Sequence, residues 1–547
     1  MTQEPKNWII RKSVFDKTFL ANLQEKTQMS TAMLQFLCNR GFLTKELIND
    51  LLQPEDRSDF LNYQEGQKLL EIVKSYRNKN IMLYSDFDCD GICAAVIAEK
   101  GLKSLGFKPQ TYFNSRFAAG YGFKEEAISW AQKNDCQLII CLDQGINDAD
   151  SIKQALDQGL AVVIIDHHKP GSELPPATAI VDPCCVDTEE SEVAFCAGAL
   201  AFQFIKALAV DLGQVADFSE LLPYVALCCL SDVMELRGSN RYYVKAGLQA
   251  INQSSLPAFQ VFKDQLQKTI TADDLRYSLA PQINAVGRMT DDVRPAFMFL
   301  ASSDYHQAAD YYQIISAINK ERQFLTKIQL AQAQKQLDAR SMVNIVVGDF
   351  HQGLLGILAG RIASNSGKVT LVASQQNEQI IASVRGVAGN KLQESLAAVS
   401  EYLLQYGGHD LAAGLTLKKE QLADFIAAFS SQITSTANAD ACYLDIVYQT
   451  RYIQDSDISQ WELLEPYGPG FEYPIFGLVV ENYQYQILKN EHLKISTANI
   501  DILAFNCRRF LPVLQTGKAL KVLVKFERDR FNKYQAVLLE EDIRLLK

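Results

Sequence analysis

Asp86, Asp88 and Asp90 alternate within five residues, and Gly91 follows them directly. Carboxylates this close repel one another at neutral pH unless they are solvated or neutralised, and divalent cations neutralise them best. Two other apolar runs end in the same kind of residue. Residues 138–142 lead into Asp143-Gln144-Gly145, and residues 162–165 lead into Asp166-His167-His168. A further apolar run closes on Ser231-Asp232. Asp86, Asp88, Asp90, Asp143, Asp166, His167, His168 and Asp232 together offer hard oxygen donors and borderline imidazole. That mixture suits Mn²⁺ or Mg²⁺ rather than the thiolate-rich sites of structural zinc. A carboxylate shared by two ions about 3.5–4 Å apart activates water and clamps a phosphoryl group. The pattern therefore points to a metal-dependent hydrolase. His168 is expected to diverge from a ligating His167, as neighbours on an extended segment do, and to contact phosphate or serve the leaving group. Taken singly, an aspartate at a strand end is a helix cap or turn residue; only the joint pattern carries the chemistry.

These residues need a scaffold that delivers them to one place. Predicted strands 80–85, 109–114, 137–142 and 160–165 alternate with predicted helices 92–105, 123–133 and 148–158. Short apolar strands separated by helices make a parallel sheet covered on both faces. Ligands bind such sheets beyond the carboxyl ends of the strands, where the acidic clusters fall. Residues 195–236 read as two apolar helices, and 273–340 as mostly helical, with a polar stretch at 304–339 that bridges domains. A second α/β unit follows, with strand 343–348, helix 354–366, strands 369–374 and 379–384, and helix 391–405. Residues 434–440 form a polar linker, and the strand-rich remainder fits a small closed barrel. The expected division is 1–75 helical, 76–260 catalytic, 261–340 helical connector, 341–433 second α/β unit and 441–547 barrel.

A chain of 547 residues is too long for a single core. No apolar run reaches the roughly 18 residues of a membrane span. The first residues lack a hydrophobic signal core, so the expected place is the cytoplasm, away from membranes. The twelve cysteines include no C-x-x-C pair and read as small buried hydrophobes in a reducing compartment. A net charge of -11 argues against a surface built to coat duplex DNA, and leaves room for a local basic groove. One candidate groove lies between Phe505 and Tyr534. Arg508, Arg509, Lys518, Lys521, Lys525, Arg528, Arg530 and Lys533 interleave there with Phe505, Phe510, Phe526, Phe531 and Tyr534, against only Glu527 and Asp529. Cations for phosphates and aromatic faces for bases are what single-strand binding uses. The alternative is core aromatics with a solvated basic edge.

The motifs resemble the DHH phosphoesterase family, and within it the single-strand-specific exonucleases. The resemblance rests on Asp86-Phe87-Asp88-Cys89-Asp90-Gly91, on Gly120-Tyr121-Gly122-Phe123 preceded by Arg116, on Leu142-Asp143-Gln144-Gly145 and on Asp166-His167-His168. It continues through Ser231-Asp232, Asn284-Ala285-Val286-Gly287-Arg288 and Gly407-Gly408-His409-Asp410-Leu411-Ala412-Ala413-Gly414. Leu464-Glu465-Pro466-Tyr467-Gly468-Pro469-Gly470 resembles the segment that opens the barrel region. Four places depart from the family pattern: Gln282 stands where arginine is common, Cys229-Leu230-Ser231 precedes Asp232, Gly386 follows Arg385 in place of serine, and Phe350-His351 replaces tryptophan-histidine.

The resemblance implies an α/β fold made of a parallel-sheet DHH catalytic domain, a helical linker, a DHH-associated α/β domain and an OB-like barrel. It implies two Mn²⁺ or Mg²⁺ ions held by Asp86, Asp88, Asp90, Asp143, His167 and Asp232, with His168 beside them. Arg116, Tyr121, Arg288, Ser383 and Arg385 would engage the 5′-phosphate end, and Gly408 and His409 a backbone phosphate. The implied activity is degradation of single-stranded DNA from its 5′ end to 5′-mononucleotides in recombination and repair. A single-strand-binding protein and a helicase are the implied partners. Two alternatives stand beside it: a phosphodiesterase acting on short oligoribonucleotides or cyclic dinucleotides, and a non-catalytic replication scaffold of the same fold.

Overall fold

The computed structural model describes residues 7–11, 15, 17–114, 122–171, 173–185, 194–338, 340–387, 389–433, 441–529 and 533–546. Its catalytic sheet has five parallel strands in the spatial order Lys108–Phe113, Asn80–Ser85, Cys136–Leu142, Ala161–Ile165, Ala179–Val181. Apolar runs such as Ile81-Met82-Leu83-Tyr84 are buried on both faces, as a doubly covered parallel sheet requires. Helices Cys89–Ser104, Ala197–Asp211 and Leu222–Ser231 pack on one face. Helices Glu125–Lys133 and Ala149–Asp157 cover the other. Sheet register then aligns the chemistry. Ser85 pairs with Leu142, and Leu142 with Ile165, so the next residues, Asp86, Asp143 and Asp166, leave the sheet side by side.

Helices from Gly238 to Ala301 lead into Tyr305–Gln334, a 30-residue helix joining the catalytic lobe to the second α/β lobe. The sheet of the second lobe runs Leu403–His409, Ala412–Lys418, Gln379–Arg385, Thr370–Gln376, Asn344–Gly348. The helix expected at 391–405 spans only Leu392–Ala397. Val399 is already buried in the lobe core, and Leu403–His409 pairs antiparallel with Ala412–Lys418 as a hairpin. Gly407 and Gly408 disfavour helix, and the backbone at Gly408 has φ +139 with a virtual Cβ only 2.3 Å from the Ala412 carbonyl oxygen. A larger residue cannot take that position without shifting the hairpin.

The C-terminal strands form a seven-stranded mixed sheet. Its core is shared with the N-terminal helices Lys17–Thr27, Thr31–Asn39 and Lys45–Leu52. Phe36 meets the Trp461 and Phe471 rings edge-on at 5.5 and 5.9 Å. Residues 464–470 dock against the catalytic lobe. The buried Arg241 guanidinium donates to the carbonyls of Leu464, Pro466 and Leu51 at 2.7 Å each. Leu236 N–H donates to Pro469 O at 2.8 Å, and Arg276 donates to Tyr467 O. Burial without a carboxylate partner pulls the Arg241 pKa down to about 10. None of the twelve cysteines is in a disulfide, and most are buried. Among the described residues no helix is long and apolar enough to cross a membrane.

Arg241→Met keeps the bulk and removes every donor, leaving buried carbonyls unsatisfied. It is expected to cost about 3–5 kcal/mol of stability. Urea unfolding of the variant against the parent measures this; a loss below about 1 kcal/mol would show that the carbonyls find other donors.

Candidate metal and phosphate site

The aspartate-rich loop is built by its helix. Asp88 is the N-cap of Cys89–Ser104, and its Oδ1 accepts from Asp90 N–H at 2.9 Å and Gly91 N–H at 3.1 Å. Asp90 is buried at 2% exposure, and its two oxygens accept from the amides of Ala197 and Gly198 at 2.8 and 3.0 Å. Those amides open helix Ala197–Asp211, whose positive end favours the carboxylate. Asp143 sits in the left-handed backbone region at φ +61, which turns its side chain back toward the other carboxylates. Asp232 closes helix Leu222–Ser231.

Three overlapping sets of donors converge. One ligand atom from each of Asp86, Asp88 and Asp143 lies within 4.8 Å of the others, and the same holds for Asp90, His167 and Asp232, and for Asp143, His167 and His168. Asp143 and His167 each belong to two sets. His167 Nε2 lies 3.0 Å from Asp143 Oδ1 and 3.7 Å from Asp90 Oδ2, while its Nδ1 is 3.9 Å from Asp232 Oδ2. Burial raises the Asp90 pKa, and the nearby Asp143 and Asp232 raise it further. Burial raises Asp143 too, with Asp88 and Asp86 adding to it. Asp232 is pushed up to about 7, chiefly by burial. Burial lowers His167, yet Asp90 and Asp232 outweigh it and leave the imidazole raised. Buried carboxylates that cannot all ionise alone, with two donors shared between neighbouring sets, fit a pair of divalent cations.

Asp166 turns out to do something else. Its Oδ1 accepts the His167 and His168 amides at 2.7 and 3.2 Å and holds His168 Nδ1 at 2.7 Å, while its Oδ2 accepts Ile146 N–H at 3.2 Å. Burial works against the anion, but the His168 hydrogen bond prevails and lowers its pKa. Its hydrogen bonds position the histidines and tie them to the loop at Ile146. The expected divergence of the two imidazoles fails. Their centroids lie 4.6 Å apart, because Asp166 bends the segment and draws His168 back over Asp143.

The 5′-end candidates come from two lobes. Arg288 ends helix Ala280–Met289 and is largely buried; burial lowers its pKa, while Asp88 nearby works the other way. Arg385 Nη1 donates to Ser383 Oγ at 3.0 Å. The hairpin register sets Arg385 opposite Ala412 and Ala412 opposite His409, and likewise aligns Ser383, Gly414 and Gly407. Paired residues share a face, so small residues lie between the Arg385–Ser383 pair and exposed His409. Arg116 and Tyr121 lie outside the described residues.

Asn284 and Gly353 have roles that the motifs alone do not reveal. Asn284 Oδ1 accepts the Cys89 amide at 2.8 Å and so braces the aspartate loop; it lies one turn before Arg288 on the same helical face, which was the available signal. A Cβ at Gly353 would fall 1.9 Å from the Arg288 carbonyl oxygen, so glycine lets the second lobe close onto that helix. Among the described residues, two of the eight cations of the barrel's basic patch are held in ion pairs. Lys525 pairs with Asp273 at 3.7 Å, Arg528 with Glu462 at 2.6 Å, and Phe526 is buried in the core. Phe505 is exposed beside His492, and Arg530 and Phe531 lie outside the described residues.

Fold and site together define a phosphoesterase of the two-ion, aspartate–histidine type. Models of the DHH family N-terminal domain, the DHHA1 domain and the RecJ OB domain match residues 80–229, 339–435 and 444–540 in that order. The single-stranded-DNA-specific exonuclease RecJ of Bacillus subtilis is 28% identical over 555 residues, covering 96% of this chain and 69% of its own. The Escherichia coli protein of the same name is 26% identical, covering 80% and 83%. Thermus thermophilus RecJ in complex with Mn²⁺ superposes with a TM-score of 0.83 at 22% identity, covering 99% of this chain and 80% of that one. A structure of exonuclease RecJ bound to manganese gives 0.60 at 26% identity, over 68% of this chain and 94% of that one. The chain belongs to the DHH family, in its RecJ branch.

The raised pKa values fix a sign. A group whose folded pKa exceeds its unfolded value contributes stability at low pH that is lost as pH rises through the folded value. Asp90, Asp143, Asp232, His167 and His168 all act in this sense. The metal-free protein is therefore expected to lose stability as pH rises from about 4 through about 7, the value for Asp232. Mn²⁺ should raise the melting temperature more at pH 8 than at pH 5. Calorimetry at the two pH values measures it, and an equal or reversed effect would contradict a carboxylate-centred ion site.

Proposed function

We propose that this protein is a metal-dependent exonuclease that degrades single-stranded DNA from its 5′ end, releasing 5′-mononucleotides. The carrying observation is the meeting of Asp86, Asp88, Asp90, Asp143, His167 and Asp232 at the sheet ends, in two donor sets linked by a third made of Asp143, His167 and His168. The RecJ domain set and the named RecJ relatives supply the substrate class. Bound by these side chains, two Mn²⁺ or Mg²⁺ ions supply activation of water and neutralisation of the charge that builds on the phosphoryl oxygens.

The protein's own part is positioning. Asp88, capping its helix, and Asn284, holding the Cys89 amide, keep the aspartate loop in one conformation before substrate arrives. With Nδ1 held by Asp166, His168 keeps Nε2 for the substrate. Burial opposes the charged ring, but the Asp166 hydrogen bond and charge outweigh it and raise its pKa, which favours a proton that the ring can hand to the leaving 3′-oxygen as the P–O3′ bond breaks. Arg288, Ser383 and Arg385 take the terminal 5′-phosphate, since guanidinium forks match phosphate oxygens. Fixing that end beside the ions sets the polarity of digestion. His409, with the open Gly407 beside it, faces the next stretch of backbone. Phe505, Arg508 and Arg509 on the barrel give a stacking and charged surface for the strand further along. Action in the cytoplasm during recombination and repair, beside a helicase and a single-strand-binding protein, fits an enzyme that needs an unpaired strand.

The direct test is digestion of end-labelled single-stranded and duplex DNA with and without Mn²⁺. Metal-dependent loss of the single strand from its 5′ end supports the reading, and cleavage confined to dinucleotides favours the small-substrate alternative. Asp143→Asn suits the φ +61 backbone and is expected to lower kcat by on the order of a thousandfold with the fold intact. Substantial residual turnover in the metal-loaded variant would remove Asp143 from its shared position. Arg385→Ala is expected to reduce the preference for 5′-phosphorylated over 5′-hydroxyl ends; an unchanged preference, measured as the ratio of kcat/KM values, would count against it.

A further inference from the structure

Four elements meet along the rim where the two α/β lobes join, and each brings one arginine. Helix Ala280–Met289 brings Arg288, the long helix Tyr305–Gln334 brings Arg322, helix Leu355–Ser366 brings Arg361, and strand Gln379–Arg385 brings Arg385. The seam beneath them is apolar: Leu354, Leu355, Leu358 and Ile362 pack with Met289 and Leu325, neighbours of Arg288 and Arg322. Glycines bring the parts close. A Cβ at Gly356 would lie 2.8 Å from Arg385 Nη2 and 3.4 Å from Ser383 Oγ, and one at Gly360 3.9 Å from the Arg385 chain. Arg322 Nε donates to Asn319 Oδ1 at 3.0 Å. Among the described residues no carboxylate is in ion-pair contact with any of the four arginines. Arg288 and Arg361 both repel Arg322, and Arg288 repels Arg385, so Arg322 and Arg288 link the four into one positive rim.

Four fixed cations with no ion-paired carboxylate, and with only Asp88 acting on Arg288, exceed what one terminal phosphate, carrying at most two negative charges, neutralises. We infer that Arg322 and Arg361 form a second phosphate seat adjoining the one made by Arg288, Ser383 and Arg385. The seat takes another phosphate group of the same strand: either a backbone phosphodiester beyond the scissile one, which the ions hold, or the β-phosphate of a 5′-di- or triphosphorylated end. The inference rests on the exonuclease reading and extends it, because a two-phosphate seat makes the enzyme prefer polyanionic strands to short esters. It also places substrate charge across the lobe seam, where binding relieves the repulsion among the arginines.

The test uses the full-length protein with Mn²⁺ and dT oligonucleotides carrying 5′-hydroxyl, 5′-monophosphate or 5′-triphosphate ends. KM, kcat and the salt dependence of kcat/KM are compared for the parent, Arg322→Gln, Arg361→Gln, the double variant and Arg322→Lys. Melting curves establish that each variant is folded. Loss of two phosphate-contacting cations is expected to raise KM by roughly tenfold or more, leave kcat within about twofold, and flatten the salt slope by about 1, with lysine restoring much of that slope. An equal rise for all three ends assigns the seat to a backbone phosphate. A rise confined to the triphosphate end assigns it to the β-phosphate. If folded variants match an active parent in KM and salt slope on every end, the inference is wrong while the exonuclease reading stands. If the parent itself leaves all three strands intact, the exonuclease reading fails first.

Discussion

Carboxylate repulsion is the constraint to which the rest of the molecule answers. Asp86, Asp90 and Asp143 are nearly inaccessible to water, and with Asp88 and Asp232 they occupy a few ångströms at the ends of parallel strands. Such a cluster opposes folding unless something holds it. Helix N-terminal amides hold Asp88 and Asp90, while Asp166 is kept out of the cluster and committed to backbone and imidazole. What remains unbalanced is charge that only cations or protons can offset. Stability lost to these groups is thus the source of affinity for the ions.

The phosphate side of the site shows the opposite polarity, built by the same economy. Arginines on the catalytic lobe, the long helix and the second lobe approach one another across an apolar seam. A strand lying between the acidic sheet ends and the basic seam finds cations on one side and guanidinium groups on the other.

Much of this was legible in the chain. The catalytic sheet, its alternation with helices and the convergence of the aspartates follow from apolar runs that each end in acid, and the strands fall within one residue of their expected bounds. The readings that failed did so for reasons that local pattern does not carry. Helix 391–405 stopped early because Val399 and the strand after it are claimed by a core formed with distant residues. The paired imidazoles stay together because of a carboxylate that looked like one more ligand. Lys525 and Arg528 read as nucleic-acid contacts because their acidic partners, Asp273 and Glu462, lie 252 and 66 residues away in sequence. Asn284 stands in a visible motif, but its role is hidden because the amide it accepts from belongs to Cys89, far away in sequence.

The shared core of the barrel has a consequence for how the chain becomes a protein. Helices within residues 17–52 complete a hydrophobic cluster whose other half begins near Ile453, and Asn7–Ile10 pairs in parallel with Ala441–Leu444. Helices 17–52 have no core partners until residues from 453 onward exist, while the catalytic lobe, whose contacts lie between them in sequence, can assemble without either. The barrel consolidates only when residues from 453 onward meet helices 17–52, and it ties these two distant stretches together like a clasp. Loosening that clasp would expose apolar helix faces at one end and barrel strands at the other, so damage to either would be felt first as aggregation and only later as lost catalysis.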